Sequence, residues 1–161
     1  MRVQREAVTA YVALGANLGD AVLAVRHAMG ALDTLPEVRV LRRSSLYLSA
    51  PVDSSGPDYV NGVVQISTTL SAPDLLTQLQ RLEAANGRER PYRNAPRTLD
   101  LDILTYGSAR IDSPVLTLPH PRMAQRAFVL MPLAELAPRL VAADALHAVS
   151  CQCCVRLKEP V

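Results

Sequence analysis

The alternation of apolar runs with polar breaks predicts four strands and two helices in the first two thirds of the chain. The strands are expected where β-prone apolar residues run together or alternate with polar ones: Val8–Leu14, Val38–Leu48, Tyr59–Leu70 and Thr98–Tyr106. The helices are expected where apolar residues recur every three or four positions: from Asp20 to before Pro36, and from Ser71 to before Gly87.

The resulting order, β-α-β-β-α-β, is typical of an α+β domain with a ferredoxin-like core, in which helices pack on one face of an antiparallel sheet. A further apolar segment, Ala127–Leu136, predicts a short helix that Pro138 ends. The tail after Pro138 has only weak periodicity, and no linker divides the chain, so residues 1–161 are expected to form a single domain. Because this fold serves many activities, RNA binding among them, function has to be argued from particular side chains.

Composition narrows the class of protein. The chain has 161 residues, 49% of them hydrophobic, and no run approaches the roughly 20 apolar residues that cross a bilayer. Met1–Ala10 lacks the apolar stretch of a signal peptide, so a cytoplasmic protein without a membrane partner is expected. The net charge of +2 argues against a broad basic surface for nucleic acid.

All three cysteines lie close together near the C-terminus, at Cys151, Cys153 and Cys154. Their number and spacing match neither a disulfide framework nor a standard zinc or redox motif, although His147 is a possible further ligand. A segment without a role in the chemistry is the favoured interpretation, and a soft-metal site or redox tail stays open.

Two acidic residues stand out in the fourth predicted strand. Because residues two apart on a strand share a face, Asp100 and Asp102 would point together while Leu99, Leu101 and Ile103 face the core. Their Cα atoms would lie about 6.7 Å apart, and a cation between the carboxylates would relieve their repulsion. Hard oxygen ligands suit Mg²⁺, which takes its other ligands from water and phosphate. The alternative is the solvated polar face of an edge strand.

The segment just before these acids is rich in arginine. From Arg81 to Arg97, five arginines against two glutamates leave a local charge of +3 in 17 residues, more than the whole chain carries. One arginine guanidinium can bind two phosphate oxygens at once, and it keeps its positive charge at all relevant pH values. Arginines beside paired acids therefore favour a site for a nucleotide polyphosphate over a merely solvated loop.

Two smaller motifs flank this region. Gly15–Gly19 is too short for a dinucleotide-binding fingerprint and is interpreted as a strand-to-helix turn, and the chain has no P-loop sequence. His120 lies between Pro119 and Pro121, whose rings restrict the backbone. It is either a neutral hydrogen-bonding group or acid near the phosphates, or a loop histidine packed on its own prolines.

The twelve residues from Arg93 to Leu104, Arg-Asn-Ala-Pro-Arg-Thr-Leu-Asp-Leu-Asp-Ile-Leu, resemble the signature of the 6-hydroxymethyl-7,8-dihydropterin pyrophosphokinases. Further matching segments flank it in the expected order: Leu14–Leu18, Pro57–Asn61, Leu118–Arg122 and Arg126–Phe128. The resemblance covers about residues 11–138. It implies an enzyme of folate biosynthesis that transfers pyrophosphate from ATP to 6-hydroxymethyl-7,8-dihydropterin and releases AMP.

By this resemblance, Asp100 and Asp102 would hold two Mg²⁺ ions against the ATP phosphates. Arg88 and Arg97 would neutralise phosphate charge during catalysis, and Arg90 would lie in the loop over the phosphates. The rest of the nucleotide site would be lined by Gln80, Glu83, Ile103 through its backbone, Thr117, His120 and Arg126.

The resemblance also implies a pterin slot. Tyr59 and Phe128 would sandwich the ring, and Asn61, whose amide offers both a donor and an acceptor, would bond its polar edge. Backbone of Ser49, Ala50 and Val52 would complete that edge. The loops Ser49–Pro57 and Arg88–Pro96 would exclude water as lids.

Two alternatives from other classes stay open on the sequence. One is a ferredoxin-like RNA-binding module that uses the arginine-rich loop, although no aromatic-rich strand motif is present. The other is a catalytically inactive nucleotide sensor. For the enzyme, a monomer is expected, with ATP and the pterin as its partners and no nucleic acid.

Overall fold

The computed structural model describes residues 5–51, 57–85 and 99–158. Eight strands occur in these ranges, β1 to β8 in chain order: Val8–Ala16, Val38–Arg43, Tyr47–Ser49, Tyr59–Thr68, Asp100–Tyr106, Ile111–Asp112, Thr117–Leu118 and Cys154–Arg156. Four α-helices, α1 to α4, accompany them: Ala21–Leu32, Ala72–Ala85, Ala127–Leu136 and Ala143–Ala148. Two short 3₁₀ turns flank α3, at Met123–Gln125 and Pro138–Leu140.

The main sheet is antiparallel, with strand order β5-β1-β4-β3-β8, and β2 and β3 pair with successive parts of the same edge of β4. The first and last strands of the β-α-β-β-α-β unit, β1 and β5, are therefore neighbours, with β5 at one edge of the sheet. This arrangement confirms the predicted α+β class and the ferredoxin-like core.

Both faces of the sheet are covered, whereas the sequence predicted helices on one face. Side chains alternate along β1, so Val12 and Leu14 pack with α1 and α2 while Tyr11 packs with α3 on the opposite face. The second face of β4 and β5 is also apolar, with Val63 and Leu104 buried in the α3 cluster. That apolar surface requires a cover, and α3 supplies it.

The single predicted strand Val38–Leu48 is wrong, because the chain leaves the β4 ladder between β2 and β3. The register shifts between Val40 and Arg42, and the Ser44 hydroxyl then accepts a hydrogen bond from the Val63 backbone N–H at 2.8 Å. Side-chain bonding of this kind competes with regular strand pairing.

The tail, for which the sequence predicted no element, joins the main sheet. Strand β8 pairs with β3, and the Leu157 backbone N–H donates to the Leu46 carbonyl at 2.8 Å. The cysteine-rich segment is thus part of the fold, although its sequence has only weak strand periodicity.

Candidate active site

The paired acids lie on β5 as the alternation predicts. Leu101 and Ile103 are each 3% exposed and pack in the core, while Asp100 is half-buried and Asp102 is exposed. The two carboxylates therefore share the sheet face that α3 partly covers. Glu83 on α2 is buried, and its Oε2 accepts from the Leu101 backbone N–H at 3.4 Å.

A bulge in β5 brings His120 beside the acids. Tyr11 pairs with Thr105 and Val12 pairs with Ile103, so Leu104 is an extra residue on β5. The Leu104 carbonyl accepts from the His120 backbone N–H at 2.9 Å. The bulge thus anchors the proline-flanked loop to the strand that carries the aspartates.

His120 lies in a mixed electrostatic environment. Its pKa is lowered from the usual value, chiefly by burial and further by Arg126 and Arg122, while Asp102 opposes the shift. Its Nδ1 accepts from the Arg122 backbone N–H at 3.2 Å, so the neutral ring carries its proton on Nε2. His120 can therefore offer one neutral donor close to Asp102 and Arg126.

The strand register joins the predicted metal and pterin residues in one row. Gly15 of β1 pairs with Asn61 of β4 on one side and with Asp100 of β5 on the other. Neighbouring strands lie about 4.8 Å apart, so Asn61 and Asp100 are separated by roughly two strand spacings. A Cβ added at Gly15 would lie 3.3 Å from the Asn61 Oδ1. The glycine therefore leaves the sheet surface between Asn61 and Asp100 free of a side chain.

The Asn61 amide has one fixed orientation. Its Nδ2 donates to the Ser49 Oγ at 2.8 Å and lies 3.3 Å from the Tyr47 carbonyl and 3.4 Å from the Tyr59 carbonyl. Carbonyl oxygens only accept, so Nδ2 must face them. In this arrangement the Nδ2 donor is engaged within the protein, and Oδ1 is the atom that faces Gly15. The expectation that Asn61 presents both a donor and an acceptor to a ring stays a prediction.

An open cavity of about 520 Å³ lies beside the start of α3 and is lined by Ser49, the residue to which Asn61 donates. Ser49 and Ala50 form one wall, and Arg126 and Phe128 form the other. The Arg126 guanidinium lies 5.4 Å from the centre of the Phe128 ring, a cation–π distance. One cavity thus contains members of both the predicted nucleotide set and the predicted pterin set.

Other predicted residues are distributed around this centre. Tyr59 is half-buried at the start of β4, beside Gly15; Gln80 is exposed on α2; and Thr117 of β7 pairs with Asp112 of β6. The Ile103 side chain belongs to the core, which leaves only its backbone for a ligand. Arg88, Arg90, Arg97 and Val52 lie outside the described residues, as does most of both predicted lid loops.

Sequence reasoning missed three contributors. Gly15 was interpreted only as part of a turn, Leu104 only as a strand residue, and Gln152 was not considered. Gln152 lines the cavity together with Cys153 and Cys154. The matching segment Leu14–Leu18 was the available signal for Gly15. In the structure β1 continues to Ala16, so Gly15 lies inside the strand, where a glycine indicates a close approach.

The sheet face that brings together carboxylates, a neutral histidine and an arginine is suited to an enzyme acting on a phosphorylated substrate. The family model of 7,8-dihydro-6-hydroxymethylpterin-pyrophosphokinase (HPPK) matches residues 11–138. The chain therefore belongs to this family, and the predicted family and enzyme class are confirmed.

Individual relatives agree with the family match. The chain is 47% identical over 138 residues to the 2-amino-4-hydroxy-6-hydroxymethyldihydropteridine pyrophosphokinase of Pseudomonas aeruginosa, covering 85% of each chain. It is 46% identical to the enzyme of the same name from Haemophilus influenzae, covering 83% of this chain and 84% of that one.

Among solved structures, Plasmodium falciparum HPPK-DHPS has a similar fold, with a TM-score of 0.62 at 14% identity. The match covers 81% of this chain and 40% of that one, so this chain spans well under half of the HPPK-DHPS chain. Each helix in the described ranges falls short of what spanning a bilayer requires.

The aspartates fit a metal that shares its coordination with a substrate. Within residues 5–51, 57–85 and 99–158, no three or more His, Cys, Asp or Glu side chains form a group that could hold a metal ion. Asp100 and Asp102 would therefore supply only part of a coordination sphere. Mg²⁺ is commonly bound in this way, through one or two carboxylates with water and phosphate oxygens.

Proposed function

We propose that the sheet face around Asn61, Gly15 and Asp100 is the active site for the HPPK reaction. The chain transfers the terminal two phosphates of ATP to the hydroxymethyl oxygen of 6-hydroxymethyl-7,8-dihydropterin in folate biosynthesis, and AMP leaves. The observation that carries the proposal is the register in which Gly15 pairs with both Asn61 and Asp100. This register supports a pterin and a polyphosphate bound side by side over the sheet surface at Gly15.

On the pterin side, the ring lies between Tyr59 and Phe128, with Ser49, Ala50 and Val52 along its edge. Asn61 accepts a ring N–H through Oδ1, which the fixed orientation of its amide supports. The amide is 4% exposed, so a matching donor is strongly preferred over an acceptor at that position. This buried acceptor is the basis of ring selectivity.

On the phosphate side, Asp100 and Asp102 would hold two Mg²⁺ ions, which would supply charge neutralisation for the bound polyphosphate. Arg88, Arg97 and Arg126 bind phosphate oxygens, and Arg90 lies over them. His120 donates from Nε2 to a phosphate oxygen as a neutral group, in keeping with its lowered pKa. The remaining nucleotide contacts come from Gln80, Glu83, Thr117 and the Ile103 backbone.

The chemistry needs no protein nucleophile. The hydroxymethyl oxygen attacks the β-phosphorus in line with the departing AMP, and the protein positions both substrates and stabilises the developing charge. Glu83 also supports this geometry, because its carboxylate accepts from the Leu101 backbone N–H between the two aspartates. Water exclusion limits wasteful hydrolysis of ATP.

We further propose that residues 1–161 act as one domain, as a monomer and in the cytoplasm. The size of the described fold, with one continuous main sheet covered on both faces, supports a single domain. The oligomeric state is tested directly by measuring the mass of the purified protein in solution.

Turnover tests the assignment of the reaction. Purified protein with ATP, Mg²⁺ and the hydroxymethyl pterin should release AMP, and omission of any one component should abolish it. ADP as the product, or AMP formed without the pterin, would overturn the proposed reaction. Nucleotide binding without AMP release would favour the sensor, and salt-dependent RNA binding without ATP binding would favour the RNA-binding module.

A further inference from the structure

We propose that Gln152 is a positioning residue for the pyrophosphokinase reaction and that the C-terminal segment Gln152–Cys154 forms a wall of the pterin pocket. This segment lies beyond residues 11–138, the part of the chain that matches the family model. The inference rests on the proposed pterin site, because it concerns how Ser49 and Phe128 are held relative to each other.

Gln152 binds the backbone on both sides of Arg126. Its Oε1 accepts from the Ala127 backbone N–H at 2.9 Å, and its Nε2 donates to the Gln125 carbonyl at 2.8 Å. Ala127 is the first residue of α3, and the first N–H groups of a helix have no partner within the helix. Arg126 makes no side-chain cap, so Gln152 caps α3 from a distant part of the chain.

The same segment is bonded to the opposite wall of the cavity. Cys154 pairs with Ser49 in the β8–β3 ladder. Beyond the end of β8, Leu157 donates to the Leu46 carbonyl. Gln152 and β8 together therefore connect the strand that carries Ser49 to the start of the helix that carries Phe128.

The connected walls line one open cavity. Ser49, Arg126, Phe128, Gln152 and Cys153 all line the cavity of about 520 Å³. Without Gln152, α3 would keep its packing in the core and its bonds through Glu135, but its first turn would lose the connection to β3 that runs through β8. If the start of α3 has to become ordered when the pterin binds, that ordering reduces the affinity, so we expect weaker pterin binding.

Gln152→Met tests this by removing both hydrogen bonds while keeping a side chain of similar length. We expect the KM for the pterin to rise roughly three- to tenfold, the effect of one or two partly exposed hydrogen bonds, with a much smaller change in kcat. Gln152→Glu keeps the acceptor for the Ala127 N–H and places a negative charge at the start of α3, so it should recover at least half of the affinity lost. Gln78→Met, the same change on α2, is the matched control and should leave both constants unchanged.

The separation of KM from kcat distinguishes positioning from a stability effect. A variant that merely unfolds more readily lowers the amount of active enzyme and hence the apparent kcat, with KM unchanged. If Gln152→Met lowers only the apparent kcat, or if it matches the Gln78→Met control in both constants, Gln152 has no positioning role.

Cys153 gives an independent measurement in case the Gln152 variants fold poorly. Cys153 is exposed and lines the cavity, whereas burial raises the pKa of the Cys154 thiol and slows its reaction with alkylating reagents. In a Cys151→Ser protein, saturating pterin should slow alkylation of Cys153 by N-ethylmaleimide at least threefold. Equal rates with and without the pterin would exclude the segment as a wall of the pocket.

Failure of this inference is distinguishable from failure of the proposed site. If wild-type protein turns over and Phe128→Ala weakens pterin binding while Gln152→Met does not, the pterin site stands and only the role of Gln152 falls. If Phe128→Ala also leaves pterin binding unchanged, the proposed pterin site itself is wrong.

Discussion

The phosphate side and the pterin side of the proposed site are built in different ways. On the phosphate side, Asp100 and Asp102 lie within one seven-residue strand, and their common face follows from strand alternation. On the pterin side, Ser49, Asn61 and Phe128 come from β3, β4 and α3. One side is therefore a property of local sequence, and the other exists only after distant segments pack together.

The two sides also differ in what the fold requires of them. Asp102 is exposed, so its carboxylate contributes little to the core. Ser49 and Asn61 are each 4% exposed and bonded to each other, so they serve both packing and ligand binding. A substitution on the phosphate side should therefore lower activity with little effect on the free energy of unfolding. A substitution on the pterin side should lower both.

The largest expected effect tests the phosphate side. Asp102→Asn removes the charge of one proposed metal ligand and should lower kcat for AMP formation by roughly 10³-fold, as losses of preorganised charge stabilisation do. Because Asp102 is exposed, the free energy of unfolding should change by less than about 1 kcal/mol. Steady-state kinetics over a range of Mg²⁺ concentrations, with urea denaturation, measure both quantities.

Asp144→Asn on α4 is the matched control for this prediction, since Asp144 is also an exposed aspartate and has no part in the proposed site. It should keep wild-type kcat. An Asp102→Asn enzyme with near wild-type turnover would contradict the metal role, and a large loss of stability would contradict the separation of activity from folding on this side.

A smaller effect tests Gly15, which lies between the phosphate side and the pterin side. Gly15→Ala would put a methyl group 3.3 Å from the Asn61 Oδ1 and force that atom to shift by a few tenths of an ångström. The KM for the pterin should rise roughly fivefold, within the range for a disturbed hydrogen bond. Pterin titration followed by ligand fluorescence gives the binding constant directly.

Gly30→Ala on α1 is the control, since a Cβ there meets nothing within 4 Å. It should leave pterin binding unchanged and raise the free energy of unfolding by roughly 0.5 kcal/mol, because alanine is the better helix former. Equal pterin affinities in the two alanine variants would remove the proposed reason for a glycine at position 15.

The smallest effect tests the hydrogen bonds that join β3 to α3 on the pterin side. The Tyr47 hydroxyl donates to the Glu135 carboxylate, which also accepts from the Ser45 N–H at 3.1 Å and so ties β3 to α3. Tyr47→Phe should reduce the free energy of unfolding at pH 8 by about 1 kcal/mol, the usual value for one such bond. Urea denaturation at pH 8 and at pH 10.5 measures this and its pH dependence.

The sign of that pH dependence follows from the phenol. Burial, and then the nearby Glu135, raise the pKa of Tyr47 well above its usual value in the folded state. An unfolded tyrosine ionises near pH 10, so above that pH the unfolded state releases a proton that the folded state keeps. Wild-type stability should therefore fall more steeply between pH 8 and pH 10.5 than that of Tyr47→Phe; parallel losses would show that Tyr47 is not the group responsible.

Particular elements show how far the sequence could be interpreted. The faces of Leu101 and Asp102 were predictable because alternation is a local rule, and it holds from Leu99 to Ile103. It ends at the Leu104 bulge, whose extra residue is fixed by pairing with β1 and by the His120 loop. No local pattern encodes that pairing.

The α3 helix and the tail illustrate the other limit. The apolar segment Ala127–Leu136 predicted a helix correctly, but which sheet face it covers depended on Tyr11, Val63 and Leu104 together. Strand β8 had no clear signal, because an edge strand with exposed residues such as Val155 does not need a strongly alternating pattern.

The sequence by itself determined the β-α-β-β-α-β order of the core, the shared face of Asp100 and Asp102, and the motifs that belong to the HPPK family, since each depends on neighbouring residues. Only the tertiary structure decided that Gly15 lies between Asn61 and Asp100, that the Asn61 donor is engaged, and that Gln152 caps α3. These depend on strand register and on hydrogen bonds between residues far apart in the chain. Such contacts form only when the whole sheet and its covering helices pack, so no local stretch of sequence contains them.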